Sequence, residues 1–223
     1  MKHLHLELAC LLLAIATHSL HVKAEDLPAT ITKVKPSVVG IATLKKGRTP
    51  PIHFIGTGFV VGDGLTVITN AHVIKQPGIA DGSELLGVLT GSNQAMADLR
   101  AATIMNTDTE RDLVQLRIAG TPLPTLKIGN SDAVREGESL VFTGFPLGMV
   151  LGFHHVTHRA LVSAITPVAD PAPTSQVLNP RMIAQLRTAP YNVFQLDGTA
   201  YPGSSGSPLY DPNTAEVLGR VIN

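Results

Sequence analysis

A serine hydroxyl is a weak nucleophile at neutral pH. It becomes a catalyst only beside a base, a group that orients the base, and donors for the oxyanion that forms. Three segments of this chain offer one residue for each task. Ser205 lies in Gly203-Ser204-Ser205-Gly206-Ser207-Pro208, where the glycines let the backbone bend so that the amides of Gly203 and Ser205 converge on a carbonyl oxygen. His72 follows the apolar run 65–69 through Asn70-Ala71, so its imidazole falls where a strand ends and a turn begins. Asp112 stands directly before the apolar run 113–118. Each signal is bland by itself. A Gly-Ser turn is common, a histidine at a strand end is usually a satisfied polar residue, and a carboxylate at a strand entrance is ordinarily solvated.

The elements that must hold these residues read as strands. Residues 37–44 are short, β-branched and closed by Lys45-Lys46-Gly47. Runs 56–61 and 65–70 flank Gly62-Asp63-Gly64, a strong hairpin signal. Runs 84–90, 97–105 and 113–118 follow, the last alternating apolar side chains, which gives a first half of about six strands. After Pro122 and Pro124 the rhythm restarts, with strand candidates at 139–143, 157–165, 192–196, 207–210 and 217–222. Residues 120–130 read as the connector. Residues 167–190 form a long Pro-containing insertion with a short helix expected at 182–187. The fold class expected is all-β, with two six-stranded antiparallel Greek-key barrels: residues 25–120 carry His72 and Asp112, and residues 121–223 carry Ser205.

The order His, Asp, Ser along the chain is that of the chymotrypsin arrangement. More specifically, Gly56-Thr57-Gly58, Thr69-Asn70-Ala71-His72-Val73, Asp112-Leu113-Val114 and the stretch from Gln195-Leu196-Asp197 to Pro208 resemble the HtrA/Deg group of trypsin-like peptidases. Ile128-Gly129-Asn130-Ser131-Asp132, Glu136-Gly137-Glu138 and Gly144-Phe145-Pro146-Leu147-Gly148 also resemble that group, so the likeness runs from Ser37 to Asn223. It implies that His72 is the general base, that Asp112 orients it, and that Ser205 attacks the peptide carbonyl with Gly203 and Ser205 amides as the oxyanion hole. Asp108 competes for the acid's place and Asp98 is a more distant alternative, but Asp112 abuts the strand as the family pattern requires. By the same pattern Thr199 and Ala200 lie near the floor of the primary pocket, where the absence of an acid suggests small or medium apolar side chains. Ser204 stands where the family has Asn or Asp, and Ser207 where it has Gly. Trimers are common in that group, so a homo-oligomer is a further expectation.

Composition bounds the rest. With 223 residues, 44% of them hydrophobic and 15% charged, the chain can bury a sizeable core. Basic and acidic residues balance at 17 each, and no basic block interrupts the sequence, which leaves no electrostatic footprint for nucleic acid or anionic lipid. Protein or peptide substrates are the partners expected, and no cofactor. Lys2, the apolar run 8–16 and the ending Val22-Lys23-Ala24 read as a secretory signal over residues 1–24, giving a secreted or periplasmic protein. The apolar run is short of the about 20 residues that span a bilayer. The single cysteine, Cys10, falls within that signal, so the mature domain is expected to rely on its core without a disulfide.

Chains of the group that this one resembles continue past the point matching Asn223 with a strand that closes the second barrel, so the expectation is either a fragment or a barrel left open at its edge, with poor peptide hydrolysis at this length. A degenerate protease domain that captures peptides along a strand edge is the alternative function. His154, His155 and His158 invite a metal reading, but 156–165 reads as a strand with no carboxylate nearby, so no metal site is expected.

Overall fold

A computed structural model describes residues 26–91, 98–146, 152–167 and 191–222. The expected signal over 1–24 and the short helix at 182–187 lie outside the described residues.

The first half is a closed barrel of six strands: β1 (Val38–Leu44), β2 (Ile52–Val61), β3 (Thr66–Asn70), β4 (Leu85–Thr90), β5 (Asp98–Asp108) and β6 (Leu113–Ile118), in the order β1-β2-β3-β6-β5-β4. The β2–β3 hairpin turns where Gly62 and Gly64 both take positive φ, at 62° and 80°, and the Asp63 carboxylate accepts the Leu65 amide at 3.0 Å. Period-two alternation on β6 sends Val114, Leu116 and Ile118 inward. There they meet Val39, Ile41, Val60, Val67 and Val88. Each such side chain contributes about 1.5–3 kcal/mol when fully removed from water.

The second half is a curled sheet of β7 (Ser139–Gly144), β8 (Val156–Pro167), β9 (Asn192–Leu196), β10 (Pro208–Tyr210) and β11 (Val217–Arg220), in the order β11-β10-β7-β8-β9. The described residues thus supply five strands here, one fewer than the six of a complete barrel. Leu140, Phe142, Val162, Leu209 and Val221 form its core. A third cluster lies between the halves and joins Val38, Ala42 and Phe59 of the barrel to Val141, Phe145, Phe153, Tyr210 and Val217. Phe145 and Phe153 stack there at 4.1 Å. The connector also belongs to both sides, since Leu126 bridges Val61 and Ile128 bridges Val217, each in parallel.

Sequence patterning leaves 26–36 unassigned, yet it begins with a helix, α1 (Leu27–Val34). Asp26 caps it by accepting the Ala29 amide at 3.1 Å, Pro28 occupies its first turn, and Val34 buries fully in the cluster between the halves.

Candidate active site

The base and acid candidates sit on neighbouring strands. Asn70 ends β3 and pairs with Leu113, the first residue of β6, so the residues just beyond this pair face each other. His72 lies in the single-turn helix α2 (Ala71–Ile74) and Asp112 in the β5–β6 turn. Asp112 takes φ 54°, in the left-handed region where Asp is one of the few side chains tolerated. In that conformation its carbonyl accepts the Ala71 amide at 2.8 Å and its Oδ1 accepts the His72 amide at 2.8 Å. Oδ2 accepts Asn70 Nδ2 at 2.6 Å and meets His72 Nδ1 at 2.7 Å.

These contacts fix the chemistry of both groups. Burial would push the Asp112 carboxyl up, but the hydrogen bonds from Asn70 and His72 outweigh it and hold the pKa below the ordinary value. Asp112 is therefore an anion that only accepts. His72 Nδ1 must be the donor, which leaves the Nε2 of a neutral ring as the proton acceptor. Asp108, the rival acid, instead binds Arg111 at 2.9 Å on the exposed side of the turn, and Asp98 lies near Arg100 at 3.6 Å. Asn70, which the sequence motif contains but to which pattern reading gives no task, is the residue that completes the carboxylate's shell.

Ser205 sits in the bend before β10, mostly buried. Thr57 of β2 grips this bend from the other half: its amide donates to the Ser205 carbonyl at 2.9 Å, and its Oγ1 donates to the Gly203 carbonyl at 2.7 Å. The Phe145 amide in turn donates to Thr57 Oγ1 at 3.1 Å, and Thr69 Oγ1 donates to the Thr57 carbonyl at 2.6 Å. Gly206, at φ 87°, lies so close that a Cβ would stand 2.0 Å from the Thr57 carbonyl oxygen. Only glycine fits. A Cβ on Gly56 would be 2.8 Å from Val73 and 3.3 Å from the Ser205 carbonyl, so the His72 segment and the serine bend meet across this glycine.

Around Ser205 the amides of Ser204, Gly206 and Ser207 are committed to the carbonyls of Tyr201, Val221 and Ser204 at 2.9, 2.9 and 3.0 Å. Gly203, with φ 95°, turns the chain ahead of them. The hydroxyls of Ser204 and Ser207, the two departures from the family motif, are buried without a hydrogen-bond partner. Of the pocket candidates, Thr199 is exposed, whereas Ala200 packs on the second core. His155 and His158 serve packing, whereas His154 is exposed. His155 lies against Phe145 and its Nε2 meets the Val38 carbonyl at 2.9 Å, while His158 stacks on Phe142 at 4.9 Å. Among the described residues, no group of three or more His, Cys, Asp or Glu could hold a metal ion, and no helix is long and apolar enough to cross a membrane.

A closed barrel bearing a His–Asp pair, packed on a curled sheet bearing a glycine-flanked serine, is the architecture of the chymotrypsin-like double barrel. The model of the trypsin-like peptidase domain matches residues 56–219, and the chain belongs to that family. Among curated proteins, a probable periplasmic serine endoprotease DegP-like from Pseudomonas putida is 30% identical over 169 residues, covering 74% of this chain and 28% of that protein. The protein so described from Pseudomonas fulva is 29% identical over 173 residues, 78% of this chain and 30% of its own length. The chain thus spans less than a third of these relatives. Among solved structures, Deg5 superposes with a TM-score of 0.64 at 23% identity over 89% of this chain and 85% of its own. The HtrA-type protease AlgW with tripeptide gives 0.61 at 19% identity, over 87% and 53%. At those identities the structures speak for the fold.

Proposed function

We propose that the protein is a serine endopeptidase in which His72, Asp112 and Ser205 form the triad. The observation that carries this is the His72 Nδ1 to Asp112 Oδ2 contact at 2.7 Å, which fixes the imidazole with Nε2 as its basic atom. Ser205 Oγ attacks the peptide carbonyl as Nε2 takes its proton, and the Gly203 and Ser205 amides hold the oxyanion. Collapse of the tetrahedral adduct breaks the C–N bond, and the proton on Nε2 leaves with the amine. Water then attacks the acyl-Ser205 ester with Nε2 again as base, releasing the acid and restoring the hydroxyl. Thr199 and Ala200 would border a pocket for small or medium apolar side chains. The substrates are proteins or peptides outside the cytoplasm, a location supported by the signal-like residues 1–24 and the periplasmic relatives.

The test is labelling by a fluorophosphonate, which traps only an activated serine. The protein is expected to label at one site and the Ser205→Ala variant not at all. Labelling that survives the substitution would remove Ser205 from the mechanism. A parent protein that never labels would favour the peptide-capturing alternative.

A further inference from the structure

The proposed triad is split between the two halves, and one dipeptide touches the chain beside both parts of it. Arg220 ends β11, where it pairs with Pro208, and Val221 follows. The Val221 carbonyl accepts the Gly206 amide and its own amide donates to the Ser207 carbonyl, both at 2.9 Å, so Val221 holds the chain directly after Ser205. The Arg220 side chain runs the other way. Its Nη2 donates to the carbonyl of Arg111, the residue before Asp112.

A second contact crosses at the same place. Tyr191, just ahead of β9, donates its hydroxyl to the Glu110 carbonyl at 3.3 Å, and the Arg111 guanidinium lies 5.8 Å above its ring. The left-handed Asp112 turn is therefore clamped from outside its own barrel at both preceding carbonyls. Keeping Arg220 here is costly. Its guanidinium is partly withdrawn from water and its Nε is buried without a partner, so burial pulls its pKa down while Asp112, Tyr191 and Asp108 oppose that. A cation held at such a cost beside the acid, one residue from the clasp on the nucleophile, points to a task there.

We propose that Arg220 is a positioning residue for the triad: its guanidinium, anchored on the Arg111 carbonyl with Tyr191 beside it, sets the β5–β6 turn and so the aim of Asp112 at His72. This rests on the reading of His72, Asp112 and Ser205 as the catalytic set. Misaiming a catalytic group by about 1 Å lowers rates up to about a hundredfold.

The experiment compares the parent protein with Arg220→Met, Arg220→Lys, Tyr191→Phe and Ser205→Ala in fluorophosphonate labelling. The final extent counts folded sites, and the rate constant per site reports alignment. Far-downfield proton NMR of the His72–Asp112 hydrogen bond is followed in parallel. Arg220→Met is expected to label to completion about tenfold to a hundredfold more slowly, with the downfield resonance moved or broadened. Arg220→Lys recovers part of the rate because its ammonium can still donate to the carbonyl, and Tyr191→Phe slows labelling roughly threefold. A rate per site within about twofold of the parent in Arg220→Met, with the resonance unchanged, overturns the proposal, as does a loss of final extent alone. If Arg220→Met does not fold, Arg220→Lys and Tyr191→Phe decide on the same rate per site. If the parent does not label, or Ser205→Ala still does, the nucleophile is misassigned and the resonance decides for Arg220. Its persistence unaltered in Arg220→Met and Arg220→Lys then overturns the positioning role, and its displacement supports it.

Discussion

The His–Asp pair and the serine bend are built in different ways. The direct bonds of the pair are local to the first barrel: Asn70, Ala71 and His72 all bind Asp112 across the paired ends of β3 and β6. The serine bend is not local to the second sheet. Its carbonyls at Gly203 and Ser205 are held by Thr57 of the first barrel, and Gly206 has only the room that Thr57 and Thr69 leave it. The proposed base and acid thus meet through bonds of one folded half, which the second half touches only at the two carbonyls before Asp112, whereas the bend of the proposed nucleophile is shaped directly by the docking of both.

That contrast can be broken from either side. The largest effect is expected at the pair. Asp112→Asn keeps the shape of the side chain but lets it donate to Nδ1, which favours the wrong tautomer, and labelling of Ser205 should slow on the order of 10³–10⁴-fold with little change in melting temperature. Next comes Gly206→Ala, whose Cβ would stand 2.0 Å from the Thr57 carbonyl oxygen and 2.4 Å from Thr69 Oγ1 at a positive φ. It should cost about 3 kcal/mol or more in urea unfolding and abolish labelling, because the halves can no longer close on the bend. Thr57→Val is milder. It removes the bonds to the Gly203 carbonyl and from the Phe145 amide, with an expected loss of about 2–3 kcal/mol and a slower reaction at Ser205, while the His72–Asp112 proton resonance stays in place. Loss of that resonance in Thr57→Val would show that the pair depends on the grip at the serine bend as well as on the turn before Asp112.

The smallest expected effect sharpens the same contrast through pH. Burial holds the His155 pKa below its ordinary value of 6.5. The Val38 carbonyl opposes the shift, and nearby Lys35 and His154 add to it. The folded protein therefore prefers the neutral ring, and the unfolded chain takes up a proton first as pH falls. The contribution of His155 is fully present above about pH 6.5 and drains away on acidification below it. His158, also lowered by burial, acts in the same direction. Melting temperature should fall from pH 7 to pH 5, and His155→Gln should flatten that slope. A slope unchanged by the substitution would place the acid sensitivity elsewhere.

Much of this was legible in the residues, for physical reasons that also explain what was not. Leu113–Ile118 alternates, so β6 could be bounded to the residue, and Gly62-Asp63-Gly64 forces a hairpin whatever surrounds it. Strand β2 begins earlier than its apolar run, at Ile52, because pairing with β1 orders residues whose side chains carry no pattern. Helix α1 escaped since eight residues with a proline and two threonines show no sustained period, and its stability comes from docking Val34. Asp112 could be preferred over Asp108 on its place before β6, and the structure gives His72 to Asp112 while Asp108 holds Arg111. Arg220 and Tyr191 could not be found, because their partners lie 109 and 81 positions away and no local spacing announces such a contact.

The fit of Gly206 beneath Thr57 also bears on how such a chain can be inherited and rebuilt. A gene exchange that joins the first half of one peptidase to the second half of another brings together a carbonyl and a glycine that never shaped each other. The hybrid needs both the retreat of residue 206 and the reach of residue 57. Shuffled libraries cut within the connector, at residues 120–130, should therefore yield active members only where those two positions arrive as a matched pair.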